Sequence, residues 1–232
     1  MSTVESPVSD ERPEPSAADE PPANLAAEEP APRRFPTVWV AISIVVGLLL
    51  GYAAGLLTPL LRTPGDTSPE AGFARDMAVH HAQAVEMSMI IYGKTTNPDI
   101  RDLAFDIVTN QQGQIGIMNR WLEEWRLSPT GSQPRMAWMP EGRRTLENGL
   151  MPGMATTAQI NALHQATGKE ADILYAQLLL RHHLGGIHMV GGVLDLADRP
   201  EVLKLAQTMR NGQQGEVGIL KDLLDEMGAK PL

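Results

Sequence analysis

A repeated segment is the sequence feature that most restricts how this chain can fold. Residues 73–122 align with residues 175–224 without a gap, at a spacing of 102 positions, and 13 of the 50 aligned pairs are identical. The identical pairs include a His-His dipeptide, a Met six residues beyond it and a QQGxxG motif. Duplication of one supersecondary unit explains such a match most simply, and it requires two similar halves that pack together.

Each copy of the repeat reads as two helices. Ser68-Pro69 and Asn97-Pro98 are typical helix starts, in which a capping side chain precedes a proline at the first helical position. The predicted helices run over about residues 69–93, 98–126, 169–197 and 200–228. Thr156 and Gln159 predict a capping box for a short helix that ends near residue 166. With little alternating strand pattern, we expect an all-α four-helix bundle over residues 69–228, with residues 128–156 as a long crossover loop.

The first 34 residues differ sharply in composition from this bundle. They are rich in Pro, Ala and Glu and carry eight acidic residues against three Arg. A segment with so few large apolar residues cannot offset its ordering entropy by burial. We therefore predict a disordered N-terminal tail.

An apolar segment follows the tail. Residues 35–61 contain 27 residues without a formal charge, and about 20 helical residues suffice to cross a bilayer core. We predict one transmembrane anchor here, followed by a linker over residues 62–68. A cleaved signal peptide is the competing interpretation, although its apolar core is usually about 7–15 residues long and lacks a long acidic lead. Arg33-Arg34 predicts a cytoplasmic N-terminus and an extracytoplasmic C-terminal domain.

Overall composition excludes several functional classes. A net charge of −9 argues against nucleic acid as a partner, because phosphate binding needs clustered Lys and Arg. The absence of Cys excludes thiolate chemistry and Cys-based metal sites. No Ser/His/Asp triad or phosphate-binding glycine loop is evident, so the sequence favours a binding protein over an enzyme without deciding between them.

Histidine and methionine are concentrated in the repeat region. All six His and eleven of the twelve Met follow residue 76. On a helical wheel, His80 shares the apolar stripe of its helix with Met87, and His182 shares the equivalent stripe with Met189. One buried His is more often a hydrogen-bonded core residue than a ligand, but two copies of the same His–Met pair favour a metal site.

The available ligands indicate which metal would bind. Imidazole and thioether without thiolate suit copper, particularly Cu(I). A carboxylate-bridged di-iron centre is disfavoured because the chain has no Glu-x-x-His motif. Zinc with His80 and Asp76, four residues earlier, stays open, although the second copy has Leu178 at the position of Asp76.

Two further features carry open alternatives. Four glycines lie in the helical QQGxxG motifs, and interior helix glycine costs about 1 kcal/mol relative to alanine. We therefore expect a close approach of another helix there, or less readily space for a ligand. Gln111, Gln112 and Glu216 are candidates to hydrogen-bond the histidines or to be plain exposed residues. The four loop methionines between residues 136 and 154 would either pass on a soft cation or cap the end of the bundle.

Three motifs together resemble the domain-of-unknown-function family 305. They are Met77-x-x-His80-His81-x-x-Ala84-x-x-Met87, Met151-Pro-Gly-Met154 and Arg181-His182-His183-x-Gly-Gly. The resemblance covers about residues 67–227 and implies a ferritin-like helical bundle of the kind found in bacterial secreted or membrane-anchored proteins. Some members are described as copper-binding and linked to copper tolerance. The chain departs from the family pattern at Gln114 and Gly185, where Glu is common, and at Leu179, where Met is common.

The resemblance also implies a set of metal-binding positions. These are His80, His81, Met87, His182, His183 and Met189, with Met77 as a further candidate. The leading hypothesis is a membrane-anchored extracytoplasmic protein that sequesters or transfers copper, as Cu(I) or Cu(II). A structural or partner-binding bundle is the alternative, with an unknown protein partner, and a copper redox enzyme is a third.

Overall fold

The computed structural model of the chain describes residues 36–232, so the predicted disordered tail over residues 1–34 lies outside the described residues. In chain order the helices are α1 (Thr37–Arg62), α2 (Pro69–Tyr92), α3 (Pro98–Glu124), α4 (Thr157–Gln165), α5 (Gly168–Leu196) and α6 (Pro200–Glu226). No strand forms within residues 36–232, where one isolated bridge joins Glu147 to Leu150. The all-α prediction is confirmed, and the repeat helices begin and end within about two residues of the predicted positions.

Helix α1 contains the apolar segment. Its stretch Thr37–Leu56 is long and apolar enough to cross a membrane, and none of it is buried in the protein. The predicted apolar helix is thus confirmed. Signal sequences have the same properties, so its role as an uncleaved anchor and its orientation stay predictions.

Local sequence accounts for where α2, α3 and α4 begin. The Ser68 hydroxyl accepts a hydrogen bond from the Ala71 amide at 3.2 Å, and the Asn97 carboxamide oxygen accepts from the second and third amides of α3. At α4 the predicted capping box is present, because Thr156 and Gln159 exchange hydrogen bonds between side chain and backbone. These caps satisfy amides that would otherwise lack partners at a helix start.

The four long helices that follow α1 form two hairpins. Helix α3 packs on α2 and α6 packs on α5, while α2 and α5 pack on each other and join the hairpins. The central pair is antiparallel, because the His80 ring lies against the His182 ring while Ser88 bonds Tyr175 at 2.9 Å. This arrangement agrees with the predicted bundle, and the narrower ferritin-like assignment stays a prediction.

The core divides into two halves of different composition. The aliphatic half lies around Tyr175 and contains Leu, Ile, Val and Ala together with Met87. The methionine half lies around Phe73 and the two tryptophans near the end of α3. Its buried methionines are Met77, Met118, Met136, Met151, Met189 and Met209. The halves meet where the His-His dipeptides of α2 and α5 lie.

The crossover over residues 128–156 is fastened to α2 by a buried carboxylate. Asp76 accepts hydrogen bonds from the Met136 amide at 2.7 Å and the Trp138 indole at 3.0 Å, and it pairs with Arg135 at 3.3 Å. Burial raises the pKa of Asp76, while these contacts lower it in part. Met136 and Met151 are thereby buried, which supports bundle capping over cation transfer for the loop methionines.

The expectation that another helix closely approaches the QQGxxG glycines was wrong. A Cβ atom at Gly113, Gly116, Gly215 or Gly218 would meet nothing within 4 Å. No helix approaches these glycines, because α3 and α6 lie on the outside of their hairpins and do not pack closely on each other.

Candidate metal centre

The four histidines of the repeated dipeptides converge into one cluster. His80 and His81 lie near the middle of α2, and His182 and His183 lie near the middle of α5. Each is at most 1% exposed, and the ring centroids of His80 and His182 are 3.8 Å apart at a tilt of 32°. On a helical wheel the second His of each dipeptide falls at the edge of the apolar stripe, whereas the structure buries both completely. The outer helices α3 and α6 cover them.

Hydrogen bonds fix the tautomers of His80 and His81. The His80 Nε2 atom lies 3.0 Å from the Pro152 carbonyl oxygen, and the His81 Nε2 atom lies 2.7 Å from the Gln114 Oε1 atom. Both oxygens can only accept, so each Nε2 carries the hydrogen. The Nδ1 atom of each neutral ring then holds a lone pair. Both Nδ1 atoms are buried without a hydrogen-bond partner.

Burial keeps these rings neutral. It lowers the pKa of His80 to about 4, with the Pro152 carbonyl acting in the opposite direction, and that of His81 to about 3, helped by the charge of His80. The pKa of His182 falls well below its ordinary value for the same reason, together with the charges of the other three rings. At neutral pH these three imidazoles are therefore unprotonated, which is the form that binds a metal.

The second His-His dipeptide has a carboxylate neighbour at the position where the first has a carboxamide neighbour. The Glu216 Oε2 atom lies 2.6 Å from His183 Nε2, at an angle outside hydrogen-bond geometry. Glu216 is the repeat equivalent of Gln114, so the cluster faces one carboxylate and one carboxamide. Both ring nitrogens of His182 are buried without a partner at hydrogen-bond geometry. Of the three candidates named from the sequence, Glu216 lies against His183 without a hydrogen bond, whereas Gln114, which bonds His81, was noted there only as a departure from the family pattern.

The predicted methionines lie on different sides of the histidines. Met77 and Met189 belong to the methionine half of the core, and Met87 belongs to the aliphatic half; all three are fully buried. Because α2 and α5 are antiparallel, the His80–Met87 and His182–Met189 pairs extend from the cluster in opposite directions. A soft-ligand set beside the histidines therefore combines methionines from both copies of the repeat.

The Met151-Pro-Gly-Met154 loop closes one side of the cluster. Besides the Pro152 contact to His80, the Ala155 backbone exchanges two hydrogen bonds with the Gln83 side chain, at 2.7 and 2.9 Å. Gly153 has a φ of +76°, and a Cβ there would overlap the Arg181 carbonyl oxygen. A Cβ at Gly185 would overlap the Pro152 carbonyl oxygen, which explains why this chain has no larger residue at that position.

Other candidate residues do not reach the cluster. The Asp76 carboxylate is occupied by the crossover, which leaves the zinc alternative without its acidic ligand. His164, His188 and Gln112 are exposed. Within residues 36–232, no group of three or more His, Asp or Glu side chains is arranged to hold a metal ion as it stands. Metal binding here would use methionine sulfur or a rotated imidazole.

Comparisons with known proteins place the chain within one family. The family model described as a domain of unknown function, DUF305, matches residues 70–224. One similar solved structure is that of a DUF305 protein from Streptomyces coelicolor, whose name calls it secreted. Its sequence is 42% identical to this chain, and the TM-score is 0.67. That match covers 72% of this chain and 99% of the other.

Two further matches are less similar or cover less of this chain. The structure of CopM in its Cu(I)-bound form is 22% identical in sequence, has a TM-score of 0.53 and shares the fold over 70% of this chain and 97% of its own. CopM also has a Cu(II)-bound structure, which is 21% identical and has a TM-score of 0.52, over 68% of this chain and 97% of its own. An uncharacterised protein of Acanthamoeba polyphaga mimivirus is 40% identical over 55 residues, which are 24% of this chain. The chain spans only 36% of that relative's length.

Proposed function

The chain belongs to the DUF305 family, whose model matches more than half of its length, and on this premise we propose that it binds copper at the four-histidine cluster. The ligands we assign are the imidazoles of His80, His81, His182 and His183, with thioether sulfur from Met77 and Met189. Binding there would let the protein sequester copper or pass it on.

The observation on which this proposal depends is a set of buried imidazole nitrogens without hydrogen-bond partners. The Nδ1 atoms of His80 and His81 and both ring nitrogens of His182 lack hydrogen-bond partners. A buried polar atom left unpaired costs about 1–3 kcal/mol, so several in one place require a compensating role. A metal ion supplies it, and the Pro152 and Gln114 oxygens orient the two rings as outer partners orient metal ligands.

The surroundings favour copper among the metals. Six buried methionines lie in the adjoining half of the core, and the chain contains no thiolate. Thioether sulfur suits Cu(I), whereas imidazole accepts both Cu(I) and Cu(II). The copper-bound states of CopM, a protein of the same fold, support this choice.

Titration of the tag-free full-length chain in detergent, under chelator competition, tests the proposal. We expect tight binding of Cu(I) and Cu(II). The His80→Ala/His182→Ala variant should lose more affinity than the about 10–100-fold that loss of an outer partner costs. His164→Ala/His188→Ala, at two exposed histidines, is the matched control. Equal affinity of the two double variants would refute the site.

Methionine substitutions distinguish the contribution of thioether sulfur to copper affinity from that of imidazole. Met77→Leu/Met189→Leu conserves volume and should weaken Cu(I) binding more than Cu(II) binding, because sulfur prefers the softer ion. Met87→Leu removes the methionine on the aliphatic side of the cluster. If Met87→Leu reduced Cu(I) affinity more than the double variant does, the thioether ligand would instead lie on the aliphatic side of the cluster.

A structural bundle without a metal is the second candidate. It is favoured by the tight His80–His182 ring contact and by the lack of a preformed group of His, Asp and Glu ligands. Thermal unfolding distinguishes the candidates, since a ligand that binds the folded state raises its stability by about 2.7 kcal/mol at 100 times its Kd. An unchanged unfolding temperature in excess copper would support the structural role.

We further propose that α1 anchors the domain outside the cytoplasm. Arg33-Arg34 precedes the apolar helix, and flanking basic residues stay on the cytoplasmic side. Protease treatment of intact cells should digest the C-terminal domain while leaving the tail protected. Release of a chain that begins within or after α1 would instead show a cleaved signal sequence.

A further inference from the structure

A groove between α3 and α6 leads toward the histidine cluster. Two cavities lie along it, and each is lined by residues of both helices. The inner cavity, of about 170 Å³, lies over Gln111 and Gln114 of α3 and Gln213 and Glu216 of α6. The outer cavity, of about 340 Å³, lies where α3 begins and α6 ends.

The inner cavity has buried oxygen atoms without partners. The Oε1 atoms of Gln111 and Gln213 lack a hydrogen-bond partner, and each residue is only 4% exposed. Of the two, the Gln213 Oε1 atom packs against Gly186 of α5, where a Cβ atom would overlap it. Carboxamide oxygens at this depth can accept hydrogen bonds from the water that a cation carries.

The inner cavity adjoins the cluster itself. Gln114 hydrogen-bonds His81, and Glu216 lies against His183, so two side chains line the cavity and contact the histidines at the same time. The opposite side of the cluster is closed by the loop that bonds His80 through Pro152. The groove is therefore the side from which an ion reaches the rings with the least rearrangement.

The outer cavity is strongly acidic. Its charged lining consists of Asp99, Asp102, Asp106, Asp222 and Glu226, without Lys or Arg. Arg101 on the same helix is engaged elsewhere, since it donates to the Thr95 carbonyl at 2.7 Å and lies over the Tyr92 ring. Carboxylates gathered at the mouth of a cleft raise the local concentration of cations and their rate of association.

From these placements we infer that the α3–α6 groove is the entry route of the metal ion, with the acidic outer cavity attracting it and the inner cavity passing it to the histidines. This inference rests on the proposed copper site. The outer carboxylates then affect the rate of metal uptake and are not ligands of the bound ion.

Stopped-flow uptake of Cu(II) by the full-length chain in detergent tests the acidic mouth. Asp102→Asn/Asp106→Asn/Asp222→Asn should slow association about tenfold at low ionic strength, with a smaller difference once the Debye length falls to about 10 Å near 0.1 M salt. The spectrum of the loaded protein should not change.

A control variant separates local attraction from net charge. Glu86→Gln/Glu147→Gln/Asp195→Asn removes the same charge from exposed residues outside the groove. It should keep the wild-type association rate. Equal slowing by both triple variants, or slowing by neither, would overturn the entry route. Absence of copper binding at equilibrium would refute the copper site itself, which the titration reveals before any rate is measured.

A steric block tests the inner cavity independently. Gly212 lines that cavity, and a Cβ there meets nothing within 4 Å, so Gly212→Leu should fold and narrow the passage. We expect association about tenfold slower with an unchanged Cu(II) electron paramagnetic resonance spectrum. Gly215→Leu, one turn away on the same helix and also in open space, should bind at the wild-type rate. Unimpeded uptake by Gly212→Leu would contradict passage through the groove.

Discussion

Three buried, neutral histidines, His80, His81 and His182, make the stability of the metal-free protein depend on pH. A histidine whose pKa is lowered by folding stays neutral when folded but takes up a proton on unfolding. Its contribution is present above the unfolded pKa of about 6.5 and is lost as pH falls toward the folded value. That folded value is about 4 for His80 and about 3 for His81, and the pKa of His182 is also well below 6.5.

The magnitude follows from these values. Between pH 7 and pH 5, protonation of one unfolded histidine with a pKa of about 6.5 lowers the free energy of unfolding by about 2 kcal/mol. His80 and His81 together give a loss of about 4 kcal/mol, a large part of an ordinary domain's stability of about 5–15 kcal/mol, and His182 adds to it in the same direction. Asp76 acts in the opposite direction, because a raised carboxyl pKa favours the folded state as pH falls.

Urea denaturation of the copper-free chain at pH 7, 6 and 5, followed by tryptophan fluorescence, measures this loss. The variant His81→Gln removes one titrating ring and should reduce the loss by about 2 kcal/mol, whatever Asp76 contributes to both proteins. His164→Gln, at an exposed position, should behave as the wild type. If His81→Gln lost as much stability on acidification as the wild type, the assignment of a neutral buried ring would be refuted.

Three further substitutions test the framework around the cluster. Gly185→Ala should destabilise the domain by about 2–4 kcal/mol in urea denaturation, because its Cβ displaces the covering loop, whereas Gly191→Ala, in open space on the same helix, should not destabilise it. Ser88→Ala should cost about 1–3 kcal/mol by leaving the buried Tyr175 hydroxyl unpaired; adding Tyr175→Phe should restore most of that loss, and a merely additive double variant would contradict the pairing. Glu216→Gln should weaken Cu(II) binding about 10–100-fold in chelator competition, and an unchanged affinity would exclude a role for the carboxylate.

The helices could be predicted because their determinants are local. Ser68, Asn97 and Thr156 cap helices through contacts only two or three residues away, and such contacts are visible in the sequence. The close helix approach predicted at the QQGxxG glycines was wrong because the environment of these glycines depends on parts of the chain that are distant in sequence. Their cost in a helix suggested a close neighbour, but only the tertiary arrangement shows that none is present.

The histidines of the candidate site could be predicted from the sequence, whereas their hydrogen-bond partners could not. Periodicity placed His80 and His182 on inward faces, since burial follows from the wheel. The partner of His80 is the Pro152 carbonyl, 72 residues further along the chain, and no pattern in the sequence connects them. Backbone acceptors carry no sequence signature, so the tautomer of a buried histidine becomes evident only in the folded structure.

The grouping of the methionines likewise depends on how distant parts of the chain pack together, which the sequence pattern does not show. In an antiparallel pair of helices with equivalent sequences, residues at the crossing point stay together, and residues beyond it move in opposite directions. The histidines lie at that crossing, so Met87 and Met189, seven residues beyond His80 and His182, enter different halves of the core. Met77 joins Met189, whereas its repeat equivalent Leu179 joins Met87, and the soft ligands are therefore richer on one side. A helical wheel pairs each Met with the His of its own helix, but the fold pairs methionines across the two helices.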